Sequence, residues 1–168
     1  MKIGICGAGT VGRGVTQILQ DNHALITART GKAIEITVVA SRSAPTDKIF
    51  KGIAYTADIV SVCRRDDVDV VVELIGGTTD AKVLIETALG AGKSVVTANK
   101  ALIAEHGDAL FALAAAHKVS LLYEAAVAGS IPIIKVIQES LAGNQVAWLA
   151  GIINGTANFI LTEMVASG

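Results

Sequence analysis

Lys2-Ile3-Gly4-Ile5-Cys6-Gly7-Ala8-Gly9-Thr10-Val11-Gly12 is the stretch that decides the fold. Its first five residues predict a short strand, and the Gly7-x-Gly9-x-x-Gly12 turn opens a helix running to about Gln20. In that setting each glycine has its own reason. Gly7 permits the tight turn, Gly9 lets backbone approach a diphosphate, and Gly12 lets the helix pack on the strand. The helix start then offers amide donors, Thr10 and Val11 among them, and the positive end of its dipole to an anion. An ordinary tight turn between strand and helix would look similar. The strand-turn-helix context favours dinucleotide binding.

Working outward, the same rhythm repeats. Strands are predicted over 34–40, 68–74, 94–97 and 119–123, with helices over 79–91 and 108–117. Thr79 or Asp80 can cap the first of these helices and Gly92 can stop it; Thr56 can cap a short helix beginning at Ala57-Asp58. Residues 47–54 read as loop. This alternation predicts an α/β, Rossmann-like doubly wound parallel sheet over residues 1–130. After Tyr123 the rhythm changes: a loop over 124–130, a helix from Pro132 to about Leu141, a strand over 146–153, then a turn at Asn154-Gly155-Thr156 and a last helix. Residues 131–168 therefore read as the start of a second α/β region, broken off after one or two elements.

Composition narrows the class. Hydrophobic residues make up 52% of the 168 residues but aromatics only 4%, so the core must be aliphatic. A net charge of -1 without a basic run excludes a nucleic-acid footprint. No apolar run approaches the roughly 18 residues of a bilayer span, and the N-terminus lacks a signal peptide's apolar core, so a cytoplasmic protein without membrane contact is expected. Cys6 and Cys63 lack CxxC spacing and read as buried free thiols. His23, His106 and His117 lack ligand spacing, so no zinc site is expected.

Five further stretches carry chemistry. Ala40-Ser41-Arg42 ends the second strand without the acid that would hold a ribose 2′-hydroxyl, and Arg42 suits a 2′-phosphate, which favours NADP(H) over NAD(H); as a solvated loop residue it would need no partner. Gly76-Gly77-Thr78-Thr79-Asp80 falls where such a fold meets the nicotinamide half, with Thr78 as a cofactor contact or part of a helix cap. Val95-Val96-Thr97-Ala98-Asn99-Lys100 delivers an ammonium to the C-terminal mouth of a strand, where Lys100 can bind a substrate oxygen, move a proton, or simply open a helix at the surface. The stretch from Tyr123 to Pro132 could turn carbonyl oxygens toward a hard cation, although spacing alone prefers a tight connection. Asn154 to Asn158 could line a polar pocket or cap a helix.

Taken in order, Gly76-Gly77-Thr78, Thr97-Ala98-Asn99-Lys100, Tyr123-Glu124-Ala125-Ala126-Val127-Ala128-Gly129 and the stretch from Gly151 to Leu161 resemble homoserine dehydrogenase along the whole chain. The resemblance implies interconversion of L-aspartate 4-semialdehyde and L-homoserine with NAD(P)H, on the route to threonine, methionine and isoleucine. It implies that Lys100 is a catalytic group beside the nicotinamide and the substrate. It also implies that Glu124, Val127, Gly129 and Ile131 surround a monovalent cation, sodium, largely through main-chain oxygens. Asn154, Gly155 and Thr156 would lie at the substrate pocket, and a homodimer would form through the second region. In the family, a second catalytic lysine and the acids that hold the substrate's amino group lie further along, so this length is expected to bind cofactor with little or no turnover. Two alternatives stand beside this reading. One is another reductase of a small carbonyl or imine, such as aspartate dehydrogenase or the glucose-fructose oxidoreductase group, the latter typically carrying Glu-Lys-Pro where Asn99-Lys100-Ala101 stands; the other is a non-catalytic NADP-binding module, which would not need the Asn-Lys strand end.

Overall fold

The computed structural model describes residues 1–151 and 154–167. Six parallel strands form one sheet: β1 (Lys2–Cys6), β2 (Glu35–Ala40), β3 (Ala54–Thr56), β4 (Val70–Glu73), β5 (Ser94–Thr97) and β6 (Leu121–Leu122). Their order is β3-β2-β1-β4-β5-β6, so the chain reverses direction across the sheet between β1 and β4. Ligands of such sheets bind beyond the carboxyl ends of the strands at that reversal.

Helices cover both faces. They are α1 (Thr10–Asp21), α2 (His23–Thr30), α3 (Ile59–Cys63), α4 (Asp80–Gly90) and α5 (Lys100–Ala116), followed by α6 (Ile133–Lys135) and α7 (Gly155–Ser167). The two-residue period of β1 explains the layering. Ile3 and Ile5 pack with Phe50, Val72 and the inner face of α1, whereas Cys6 joins Val62, Leu84, Ile85 and Leu110 beneath α3, α4 and α5. Both cysteines are buried and unpaired, as the sequence predicts. No helix among the described residues is long and apolar enough to cross a membrane.

Several local expectations change. The 79–91 helix is observed as α4 with Thr79 at its N-cap, and Gly92 follows it with φ 73°. The helix expected over 108–117 instead starts at Lys100, because the Asn99 side chain caps it by accepting from the Leu102 amide, and Gly107 is carried through its buried interior. The short helix near residue 57 begins at Ile59, where the Asp58 carboxylate accepts from the Val60 and Ser61 amides; Thr56 instead accepts from Asp58 N–H. Two elements had no sequence expectation. One is α2, a surface helix without a buried residue, stopped by Gly31 in the left-handed region; the other is β3, three residues at the sheet edge.

Beyond residue 130, Pro132 stands at the N-cap of α6, which continues as a wider turn over Val136–Ser140. The strand expected over 146–153 is absent from 146 to 151, while Ile152 and Ile153 lie outside the described residues. A strand needs a neighbour to take its backbone hydrogen bonds, and among the described residues the sheet ends at β6. The last helix starts at Gly155, one residue into the expected turn.

Candidate cofactor site

A cleft of about 1600 Å³ opens at the carboxyl end of the sheet, lined by Gly7, Gly9 and Thr10 from the first turn, Ser41 and Arg42 from the end of β2, and Gly76 and Gly77 from the end of β4. The turn after β1 is built by close approach. Gly7 has φ 119°, and a Cβ there would stand 2.5 Å from the Leu74 carbonyl oxygen. A Cβ on Gly12 would stand 1.8 Å from the Gly7 carbonyl oxygen, so only glycine lets α1 leave the strand at this angle.

Gly9 differs from both. It stands at the N-cap of α1 with φ -75°, and a Cβ added there meets no protein atom within 4 Å. Packing within the protein therefore does not require glycine at this position, which borders the cleft. No side chain caps α1, and its first backbone hydrogen bond runs from Arg13 N–H to the Gly9 carbonyl at 2.9 Å. The amides of Thr10, Val11 and Gly12 have no acceptor in the described chain, which suits the oxygen-rich diphosphate of a dinucleotide.

Arg42 lies on the rim at the β2 side, exposed, and joins no ion pair among the described residues. Arg13, one residue past the glycine motif, also lines the cleft and bridges α1 to the loop after β2 through a 2.8 Å ion pair with Asp47. Sequence reasoning missed this pair; the position of Arg13 on the first turn of the glycine-bounded helix was the available signal. It also missed Glu73, a wholly buried carboxylate at the end of β4, whose signal was an acid closing a valine run just before two glycines.

Of the other sequence candidates, Thr78 follows the cleft-lining Gly77 but does not itself line the cleft, and neither do Val11, Gly12 or Lys100. Lys100 is exposed at the first position of α5. Its neighbour Asn99 is buried and donates to the Gly77 carbonyl at 2.6 Å, which ties the start of α5 to the cleft wall. Asn154 is not among the described residues that line the cleft, the side chains of Gly155 and Thr156 lie outside the described ones, and the described side chains of the helix that starts at Gly155, 158–166, are all exposed.

The candidate cation loop is compact but partly self-satisfied. The Glu124 carboxylate caps α6, accepting from the Ile134 amide at 3.0 Å and the Lys135 amide at 2.8 Å. The main-chain oxygens of Glu124 and Ile131 accept from Val127 and Ile133, whereas those of Val127 and Gly129 have no donor among the described residues. Ala128 and Ser130 hold φ values of 45° and 70°, unusual for residues with a Cβ. No cluster of three His, Cys, Asp or Glu side chains that could hold a metal occurs among the described residues.

Strand order, glycine turn and cleft together define a nucleotide-binding domain of the Rossmann type. The family described as homoserine dehydrogenase, NAD binding domain, matches residues 7–124, and that described as homoserine dehydrogenase matches 132–168. The chain belongs to the homoserine dehydrogenase family. It is 52% identical to a homoserine dehydrogenase of Pseudomonas aeruginosa over 169 residues and 47% identical to one of Neisseria gonorrhoeae, aligning along 100% of this chain in both cases. The chain spans 39% of the length of each of these curated relatives. Among solved structures, a homoserine dehydrogenase from Thiobacillus denitrificans superposes with a TM-score of 0.90 at 46% identity, covering 98% of this chain and 38% of that one. A hyperthermophilic archaeal homoserine dehydrogenase in complex with NADPH superposes with a TM-score of 0.70 at 25% identity, covering 84% and 49%.

Proposed function

We propose that this chain is the cofactor-binding portion of an NAD(P)-dependent homoserine dehydrogenase that interconverts L-aspartate 4-semialdehyde and L-homoserine, and that it prefers NADP(H). The observation that carries the reading is the uncapped start of α1 opening on the cleft beside Gly9, with Arg42 on its rim. The amides of Thr10, Val11 and Gly12 hold the diphosphate, and Arg42 pairs with the 2′-phosphate. The bound nucleotide supplies the hydride donor or acceptor. Thr78 borders its nicotinamide half. Lys100 acts on the substrate oxygen, where a hydrogen bond or proton from the ammonium stabilises charge as it grows.

Residues 1–130 form the dinucleotide domain and 131–168 begin the region that contributes Asn154, Gly155 and Thr156 to the substrate pocket. The Val127 and Gly129 carbonyls support a monovalent-cation site with Glu124 and Ile131, sodium being the favoured ion; Glu124 and Ile131 would share oxygens that already accept backbone amides. The parent enzyme is cytoplasmic and homodimeric. Exposed apolar side chains past residue 130, Trp148 and Leu149 among them, support the dimer.

The test is a titration of the chain with NADPH and NADH. Arg42→Ala should weaken NADPH by about tenfold and leave NADH nearly unchanged, since one charged hydrogen bond is worth about 1.5–3 kcal/mol. Equal losses for both would refute the role of Arg42. Homoserine added with NADP should raise the melting temperature further if the pocket residues act within this length.

A further inference from the structure

Glu73 is 0% exposed, ends β4, and enters no ion pair among the described residues. Burying a carboxylate is costly unless its oxygens are satisfied. Here they are: Oε1 accepts from the Ile75 amide at 2.9 Å and the Gly76 amide at 3.0 Å, and Oε2 accepts from the Thr97 hydroxyl at 2.5 Å. Thr97 is the register partner of Glu73 on β5, so both side chains stand on the same face of the sheet. The Thr97 hydroxyl in turn accepts from the Asn99 amide at 3.0 Å, and Asn99 donates from Nδ2 to the Gly77 carbonyl at 2.6 Å. The bonds form a closed ring running from Glu73 through the Gly76-Gly77 turn to Asn99 and Thr97, then back to the carboxylate.

The ring encloses two unusual peptides. Gly76 and Gly77 are consecutive residues in the left-handed region, with φ 73° and 75°, and both line the cleft. No protein atom lies within 4 Å of where a Cβ would stand on either, so packing from the cleft side does not hold them. The hydrogen bonds from β4 and from the start of α5 do. Asn99 also caps α5 through Oδ1, and the next residue is Lys100.

We propose that Glu73 is a positioning residue: through Thr97 and Asn99 it locks the Gly76-Gly77-Thr78 turn to the first turn of α5, and so sets the spacing between the nicotinamide half of the bound dinucleotide and Lys100. This rests on the dinucleotide reading of the cleft. Glu73 is wholly buried and does not line the cleft. A valine like its three predecessors on β4 would fill the core without any buried charge, but it would leave the turn's amides and Thr97 without their acceptor.

The experiment compares two ligands on the full 168-residue chain by calorimetric titration. NADPH spans both halves of the cleft, whereas 2′,5′-ADP carries only the adenine half on the β2 side. Glu73→Gln keeps an acceptor for the two amides but presents an amide N–H₂ to Thr97, and Thr97→Val removes the hydroxyl at nearly constant shape. Both should weaken NADPH by about tenfold, the worth of one charge-assisted bond. Both should leave 2′,5′-ADP within about twofold. Thr97→Ser, which restores the hydroxyl, should restore NADPH affinity. Equal weakening of both ligands, no weakening of NADPH, or failure of serine to rescue would overturn the proposal. Failure of the unsubstituted chain to bind either ligand would instead overturn the cofactor reading, and the proposal with it.

Discussion

Leu84 and Ile85 on α4 are wholly buried, whereas Phe159 and Ile160, an equally apolar pair on α7, are 64% and 51% exposed. The contrast runs through the molecule. Up to β6, nearly every valine, isoleucine and leucine of the strands meets a helix across one sheet face or the other. Past residue 130, Ile131, Trp148, Leu149, Leu161, Met164 and Val165 face outward, Trp148 at 79% and Val165 at 87%. The two regions have similar aliphatic content, so hydrophobicity alone does not distinguish them. What differs is pairing. Parallel strands supply each other's backbone partners and present two faces for helices, while α6 and α7 satisfy their own backbones locally and gain no second layer among the described residues.

The sharpest way to break this contrast is to truncate a large apolar side chain in each region. Leu84→Ala should lower unfolding stability by about 2–5 kcal/mol in a urea titration, the range for a buried leucine. A loss below about 0.5 kcal/mol, the range of surface changes, would mean the sheet region is not the stability core. Gly12→Ala comes next. Its Cβ would meet the Gly7 carbonyl at 1.8 Å, so strand and helix must separate at a cost of about 1–3 kcal/mol, readable in the same titration. Alkaline pH sharpens the contrast more gently. Burial pushes the Cys63 thiol from 9.0 up to about 11, partly offset by Lys93 and Arg64. Burial, reinforced by the charges of Cys63 and Glu73, raises Cys6 further. The folded state holds both protons more tightly than the unfolded chain does. The contribution of Cys63 is therefore complete below about pH 9 and is lost as pH rises through about 11, and that of Cys6 goes on falling above that. The urea midpoint should fall over that window, and less steeply in Cys63→Ala. The smallest effect is Phe159→Ala, expected within about 0.5 kcal/mol in this chain.

The legible part of the fold follows the same division. The run Val70-Val71-Val72 and the Gly7-Gly9-Gly12 turn announce a parallel sheet because buried strands are continuous in β-branched residues and the turn leaves room for nothing but backbone. The early start of α5 was hidden by Gly107, a residue that weakens a helix alone but is tolerated in a buried one. The strand expected at 146–153 had the right residues, and alternation cannot report whether a partner strand is at hand. In the site, Gly9 and Arg42 could be read directly, since each is a local exception to what the fold needs. Glu73 could not, because its role depends on Thr97 and Asn99, more than 20 residues away and joined to it only by sheet register.

The central claim is that the first turn is shaped for a diphosphate and not merely for the fold, and Gly9→Ala tests it most directly. Because the added methyl meets no protein atom, the melting temperature should stay within about a degree, as for a surface change. NADPH affinity by calorimetry should nevertheless fall by more than about tenfold, since the methyl occupies space the diphosphate needs. Unchanged affinity with an unchanged melting temperature would contradict the account.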